Sequence, residues 1–587
     1  MPNLRLLPNQ QNTDLVSFTI LVNGLPVGKE IGVTSIAVNK EVNKIPWAKI
    51  IIQDGDVAIE DFEISNQETF KPGNEIEIQA GYHSDESTIF KGIIVKHGIK
   101  IIRDSQSLLE IECKDVAIKT TAGKKNKYYY DSKDADVIEE ILNTYSIQSD
   151  ATADAADATH KEVVQYYSTD WDFIVTRAEV SGKLVMPDDG TVIVKKPDFT
   201  QQPIALLQYG GNILELEAMM DATYQYAGVS ASGWNYANQQ LSEQDAVAPI
   251  LQEEGNISSN DLSDVLGLDT YKLFHSGNVN DQELRGWAST QLLKSKLSKI
   301  RGRVKFLGFA SVKPGSLVEL QGVGDRFNGI AFVSTVRHSI NDGNWYTDIN
   351  VGLSPKWFSQ QEDVAAMPAS GLIPAISGLQ IGIVTQLEND PDGEHRIQVR
   401  VPVIDAAADG IWARVACVDA GNERCSYFRP EVSDEVIVGF INDDPRDAVV
   451  LGMFNSSALP VPTDVFPEKD DNHIKGFVTR SKIKFTFDDD KKIITLQTPA
   501  PNKIIINDDE GSIVLQDQNN NKITMNSDGI TIESAKDLIL KATNNVSIKG
   551  VKIAAEASSE FSAKGNAKAA LQSSGQTEIK GGTVMIN

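Results

Sequence analysis

A chain of 587 residues is too long for one hydrophobic core and implies about three or four domains. Its hydrophobic share of 41% and charged share of 23% are those of a folded globular protein, not of a disordered one. A formal net charge of -26 excludes recognition of a phosphate backbone, which needs clustered Lys and Arg, so no nucleic-acid partner is expected.

The opening residues Met1-Pro2-Asn3-Leu4-Arg5-Leu6-Leu7-Pro8 contain no long apolar run, so no Sec signal peptide is expected. No stretch approaches the ~20 apolar residues of a membrane span. The chain is therefore expected to fold in the cytoplasm and to leave, if it leaves, by another route. Three cysteines (Cys113, Cys417, Cys425) make no disulfide framework and no CxxC pair. Cys417 and Cys425 are spaced to oppose each other in a hairpin, but reduced structural thiols are the expectation.

From about residue 14 to 120 the pattern is β, with alternating segments at 14–22 and 34–42. Phe70-Lys71-Pro72-Gly73 turns into Glu75–Ile78, and further strands follow at 89–94 and 108–113, which together suggest a barrel. Asp134 then precedes Val137, Ile138, Ile141 and Leu142, an apolar stripe at helical spacing. A second helix starts at Thr169 or Asp170, carries Trp171, Phe173, Ile174 and Ala178, and ends near Gly182. Residues 240–265 are polar and acidic and read as a loop or insertion. A third helix opens at Asn280, with Glu283 placed to complete a capping box. Lys294, Lys296, Lys299 and Arg301 crowd its end, where they complement the helix dipole. Strands return from Gly302 to Leu353, with Pro314-Gly315 as a turn.

The segment boundaries follow. Residues 1–365 form an N-terminal part with two β-barrels and helical segments, and 366–378 a linker. Residues 379–456 form a barrel of about the size of a five-stranded OB-type domain, and 457–480 a second linker. Residues 481–587 are a run of short strands and turns. Ile530, Leu538 and Val546 recur at eight-residue steps, as do Ile532, Leu540 and Ile548. Asn519-Asn520-Asn521 and Asn526-Ser527-Asp528-Gly529 are turn chemistry between them. Strands of five residues rise ~17 Å and one layer encloses no core. A single-chain β-helix needs about twenty residues per coil, so three chains wrapping together is the preferred reading. Those six residues are then the dry core of a trimeric β-helix or β-prism needle. Past Val551, alanines replace the large apolar residues, which implies a taper.

No HExxH, GxSxG, Walker or dinucleotide motif is present, and the seven histidines are scattered. Asp188-Asp189, Asp443-Asp444 and Asp488-Asp489-Asp490 lie in turn sequence and read as solvated loops. Asp517, Asn519, Asn521 and Asp528 mimic part of an EF-hand, but Lys522 stands where its glycine is needed. No catalytic residue, cofactor or metal site is expected.

The same segments carry a resemblance. In the N-terminal part it rests on Phe70-Lys71-Pro72-Gly73-Asn74-Glu75-Ile76, Phe90-Lys91-Gly92-Ile93-Ile94 and Gln165-Tyr166-Tyr167-Ser168-Thr169-Asp170-Trp171-Asp172-Phe173. It continues through Pro314-Gly315-Ser316-Leu317 and Gly322-Val323-Gly324-Asp325-Arg326-Phe327-Asn328-Gly329. Further along it rests on Arg396-Ile397-Gln398-Val399-Arg400-Val401-Pro402 and Asp444-Pro445-Arg446-Asp447-Ala448. With these the chain resembles VgrG, the trimeric spike of type VI secretion and related contractile injection systems, similar to phage tail hubs and spikes. The resemblance implies a homotrimeric hub stacked on a hexameric inner tube, held among baseplate proteins. It implies a needle that carries a PAAR-type tip protein or effector cargo and punctures a membrane mechanically. It implies no enzymatic activity, and export through the contractile apparatus. Two other readings compete: a polysaccharide- or wall-degrading tail enzyme, and a receptor-binding tail fibre. The first lacks converging carboxylates, and the second is expected to lack residues like 14–355.

Overall fold

The computed structural model describes residue 13 and residues 15–102, 106–151, 157–361 and 363–586. Met1–Pro8 and Asp14, where the first strand is expected to begin, lie outside them. The chain divides into two compact units, Met1–Ser377 with Asn442–Pro445, and Gly378–Ile441 with Arg446–Asn587.

In the first unit, alternating apolar residues build strands whose inner faces meet in two cores. One gathers Ile20, Ile36, Ile50, Ile78, Phe90 and Ile111, and the other Leu207, Val304, Phe306, Val318, Val333 and Ile349. The ladders around them are continuous. Val33–Glu41 pairs with Gly329–Asn341, from Ser35 opposite Asn341 to Glu41 opposite Thr335. The two expected barrels therefore share one 13-stranded sheet.

The helices start where their caps dictate. Helix α1 (Asp134–Thr144) and helix α2 (Asp170–Val180) bury Ile138, Ile141, Leu142, Phe173 and Ile174 against the hairpin Leu184–Asp188 and Thr191–Lys195. Thr169 caps α2 by accepting from Asp172 N–H, and Gly182 follows at φ +75°, the left-handed residue after a helix end. The stretch 240–265 is loop mainly over 246–258. It holds a strand, Gln240–Asp245, and a short helix α3 (Ser259–Ser263). With Gly228–Asn235 at the centre and Thr270–His275 on its other side, the strand makes a small sheet covered by helix α4 (Asp281–Leu297). Its polar composition hid the alternation, because much of the strand is exposed.

Helix α4 corrects one further expectation. Asn280 does cap it, accepting from Glu283 N–H at 2.8 Å. The Glu283 carboxylate does not return to the cap; it accepts from Arg177 Nη2 at 2.9 Å. Lys294 and Lys296 do stand in the last turn, where the dipole favours them, and carboxylates from other segments hold the basic group as well. Lys294 pairs with buried Glu179, Lys299 is fully buried against Glu253, and Arg301 bonds Asp221. Each is held by a specific carboxylate from another segment, a stronger constraint than the helix dipole.

In the second unit, Gln380–Gln386, Ile397–Arg400, Ile411–Val415, Ala448–Met453 and Glu435–Phe440 close into a five-stranded barrel around Val384, Val399, Ala413, Val436 and Val450. A small hairpin, Ala420–Gly421 with Arg424–Cys425, branches between its third and fourth strands in sequence. Cys425 faces Ala420 there, not Cys417, and both thiols are free and exposed.

The strands expected over 481–587 are present only in part. Seven strands form one antiparallel meander: Ile474–Val478, Lys484–Asp488, Ile493–Gln497, Lys503–Asn507, Ser512–Gln516, Lys522–Asn526 and Gly529–Glu533. The first lies inside the stretch expected to be linker. From 534 to 586 the described residues form no strand or helix.

Candidate functional site

The meander has one face with no cover. Register sets Phe477, Phe485, Leu496, Ile504, Leu515, Ile523 and Ile532 in one cross-strand row. Phe487, Ile494, Ile506, Ile513, Met525 and Ile530 form a second row beside it, begun by Lys475. Between the rows the side chains point the other way, as alternation requires: Gly476, Thr486, Thr495, Ile505, Val514, Thr524 and Thr531. One face is thus wholly apolar over thirteen positions, and the centre of the other is mostly threonine.

The apolar face is open to solvent in the single chain. Phe477 is 52% exposed, Leu496 43%, Ile504 41% and Ile532 50%. An isolated exposed leucine means little, but a contiguous apolar sheet face marks a surface that something covers. At ~1.5–3 kcal/mol for each such side chain fully buried, covering it is worth far more than any surface ion pair in the chain.

Turn residues hold the rows in register. Asp517 accepts from Asn519 N–H and Asn521 N–H, both at 2.8 Å, and from the Asn521 side chain. These bonds, that from the Asn521 side chain foremost, hold its carboxyl below the usual carboxylate range. Asp517, Asn519 and Asn521 of the EF-hand-like set thus serve a turn, and among the described residues no group of His, Cys, Asp or Glu is placed to hold a metal. Gly476 is required by close approach: a Cβ there would meet the Phe485 carbonyl oxygen at 2.1 Å, with φ at +151°.

The six residues singled out in sequence do not form one set. Ile530 and Ile532 sit on the last strand of the meander, one in each row. Leu538, Leu540, Val546 and Ile548 lie in 534–586, outside any strand, and are exposed. What the sequence reading missed is the upstream apolar face, from Phe477 to Met525. Its signal was present but irregular. In the first row the spacing alternates, eight residues from Phe477 to Phe485 and eleven from Phe485 to Leu496. Antiparallel turns produce that alternation, and a search for one fixed step passes over it.

Charged groups also converge inside the first unit. Asp188 and Asp189, expected to be solvated, both bind buried Lys40, at 2.7 and 2.8 Å. Burial would raise Asp188, but Lys40 and Lys313 hold it below its ordinary value. Asp134 is buried as well, and the hydrogen bonds and charges of His160 and Arg177 outweigh that burial and keep it low. Near this cluster a cavity of about 570 Å³ is lined by Phe199, Val247, Ile250 and Leu293. The charged groups on its wall are engaged already: Asp134 and Glu283 with Arg177, Arg285 with Gln244, Asp198 with Thr200.

Family models match three stretches of the chain. The Alg8 N-terminal domain matches residues 12–342. The type VI secretion system/phage-baseplate injector OB domain matches residues 380–454, which contain the closed barrel. The phage baseplate V C-terminal trimerisation domain matches residues 493–587. No curated protein matches the chain. Among solved structures, the 43 kDa tail protein of prophage MuSo2 from Shewanella oneidensis is 10% identical over 58% of this chain and 98% of its own, with a TM-score of 0.44. The tail protein from Neisseria meningitidis MC58 is 13% identical over 58% and 98%, at 0.43. The Francisella PdpA-VgrG complex in its half-lidded form is 10% identical over 89% of both chains, at 0.38.

Proposed function

The chain belongs to the family of the Alg8 N-terminal domain and is a VgrG-type spike protein with a structural role of the phage-baseplate and type VI secretion kind, and from that premise we propose that it works as a homotrimer and mechanically, without catalysis. The observation that carries the proposal is the uncovered apolar face of the meander, whose last five strands lie in the stretch that matches a trimerisation domain. Three copies that turn these faces inward bury both rows at once and leave the threonine faces in water.

The eight-residue step beyond Ile530 supports the same number. In a meander the spacing alternates, because successive strands run in opposite senses. A uniform step means that every strand leaves its turn in the same sense, which is a wrapping chain. At eight residues per step one chain closes no circle around itself, and three do. Ile530, Ile532, Leu538, Leu540, Val546 and Ile548 then share the inside of a three-walled shaft, and the alanines after Val551 narrow it. Backbone groups left unpaired in the single chain find partners in the other copies.

On this reading the first unit is the hub that seats on a hexameric inner tube among baseplate proteins. The five-stranded barrel connects it to the shaft, and the shaft transmits the force of contraction to a tip protein of PAAR type, to effector cargo and to the target membrane. Among the described residues no helix is long and apolar enough to cross a membrane. The test is genetic. A producing strain without the chain should assemble no competent contractile particles, wild-type chain should restore them, and a chain with Ile504→Asp and Ile506→Asp should not. Particles that assemble and inject normally without the chain contradict the proposal.

A further inference from the structure

Between Val247 and Gly255 the first unit carries a strap that no ladder holds. At one end Val247 N–H donates to Ser289 Oγ at 2.9 Å. At the other, Gly255 N–H donates to the Asn328 carbonyl and Lys299 Nζ to the Glu254 carbonyl, both at 2.8 Å. Over 248–252 no backbone-to-backbone hydrogen bond joins the strap to another of the described residues. A segment tied only at its ends opens at low cost. The strap walls two spaces in turn. Residues 247–250 line the cavity of about 570 Å³. Leu251 and Glu254 line a second, small space among Leu297, Leu317, Ile330 and Phe332, and Phe199 stands in both.

Glu254 is the odd member of that second lining. It is 8% exposed, and the space of about 10 Å³ has room for one water at most. Its carboxylate accepts from its own backbone N–H; Lys299 attracts its charge and Glu253 repels it. The charged groups of the surrounding elements are engaged elsewhere. Lys299 bonds Glu253 and two carbonyls, and Lys296 reaches Glu253 at 3.5 Å. Asp198, beside Phe199, accepts from Thr200; Glu319, on the strand of Leu317, accepts from Gln321; Arg326 bonds Asn256. Nor can the strap retreat inwards. A Cβ on Gly255 would meet the Arg326 carbonyl oxygen at 2.2 Å, and one on Gly329 the Glu254 Cα at 3.1 Å. A neutral carboxyl suits this apolar wall. An ionised one must be hydrated, and only outward movement brings it to water.

We propose that residues 248–254 are a pH-operated strap, closed while Glu254 is protonated and swung outward when it ionises. Opening bares Phe199 and Phe332 and joins the small space to the larger cavity. The anchors at Val247 and Gly255 and the clamp of Lys299 stay in place as hinges. The device is independent of how many copies assemble. Its direction follows from burial, which raises the closed-state carboxyl from 4.5 to about 7. Closure is therefore most favoured below 4.5 and is lost as pH rises through about 7. With those two values the opening constant grows about tenfold between about pH 6 and about pH 8.

Hydroxyl-radical footprinting of the full-length protein, read residue by residue by mass spectrometry, tests this. Oxidation of Leu251 and Phe332 should rise several-fold from about pH 6 to about pH 8 in the wild type. The rise should be absent in Glu254→Gln and in Glu254→Met, neither of which can ionise there. Phe306, fully buried in the neighbouring core, should stay unmodified throughout. No rise in the wild type, or an equal rise in the two variants, overturns the strap. A parallel rise at Phe306 also overturns it, because the unit would then be unfolding as a whole.

Discussion

Glu254 lies 8% exposed, against the small apolar space bounded by Phe199, Leu297, Leu317 and Phe332. The nearby ammonium groups are committed elsewhere, Lys296 to Glu253 and Lys299 to Glu253 and to the carbonyls of Glu254 and Ile257. Burial accordingly pushes the Glu254 carboxyl up from 4.5 to about 7. A carboxyl raised in the folded state binds its proton more tightly there than in the unfolded chain. Its contribution is therefore most favourable below 4.5 and is lost as pH rises towards 7. Wild-type protein should lose urea resistance between about pH 5 and about pH 8 relative to Glu254→Gln. Equal slopes in the two proteins would show that the carboxyl is already ionised in the fold. Residues of this kind were not legible in the sequence. Asp188-Asp189 read as a solvated turn because its partner, Lys40, is 148 residues away from Asp188 and reaches it only through the sheet. Glu283 read as half of a capping box, and the competing guanidinium of Arg177 lies 106 residues off. Local pattern gives the cap at Asn280 correctly, and no local pattern contains the long-range ion pair that diverts its companion.

At the scale of elements, the helices α1, α2 and α4 and the five-stranded barrel follow from apolar spacing and caps, since each is a local solution to burying one stripe or face. The strand Gln240–Asp245 escaped because an exposed strand on the rim of a small sheet shows little hydrophobic contrast. The meander was legible as strands and turns but not as a meander, because its rows repeat at alternating intervals. That geometry makes a sharp prediction for the single central position Ile504, which is flanked by Leu496 and Leu515 in its row. Ile504→Asp should leave the single chain's fold intact, since the side chain is 41% exposed there, and should abolish trimer formation, because three carboxylates would meet in a dry core. Ile532→Asp and Leu540→Asp should do the same. Size-exclusion chromatography with circular dichroism reads both quantities. A trimer of normal yield from any of these variants would remove that residue from the core.

For the whole molecule, the division of labour follows from where apolar surface is satisfied within the chain and where it is not. The first unit and the barrel bury their own cores, around Ile50, Phe306 and Val399 among others. The meander and the residues after it do not, and their apolar rows require other copies. That difference, more than any motif, makes this a building block and not a self-sufficient globule. The measurement that tests this most directly is the mass of the purified full-length chain by light scattering under non-denaturing conditions. The account predicts three times 64.1 kDa, independent of dilution over the working range. A stable, well-folded species of 64.1 kDa would contradict it.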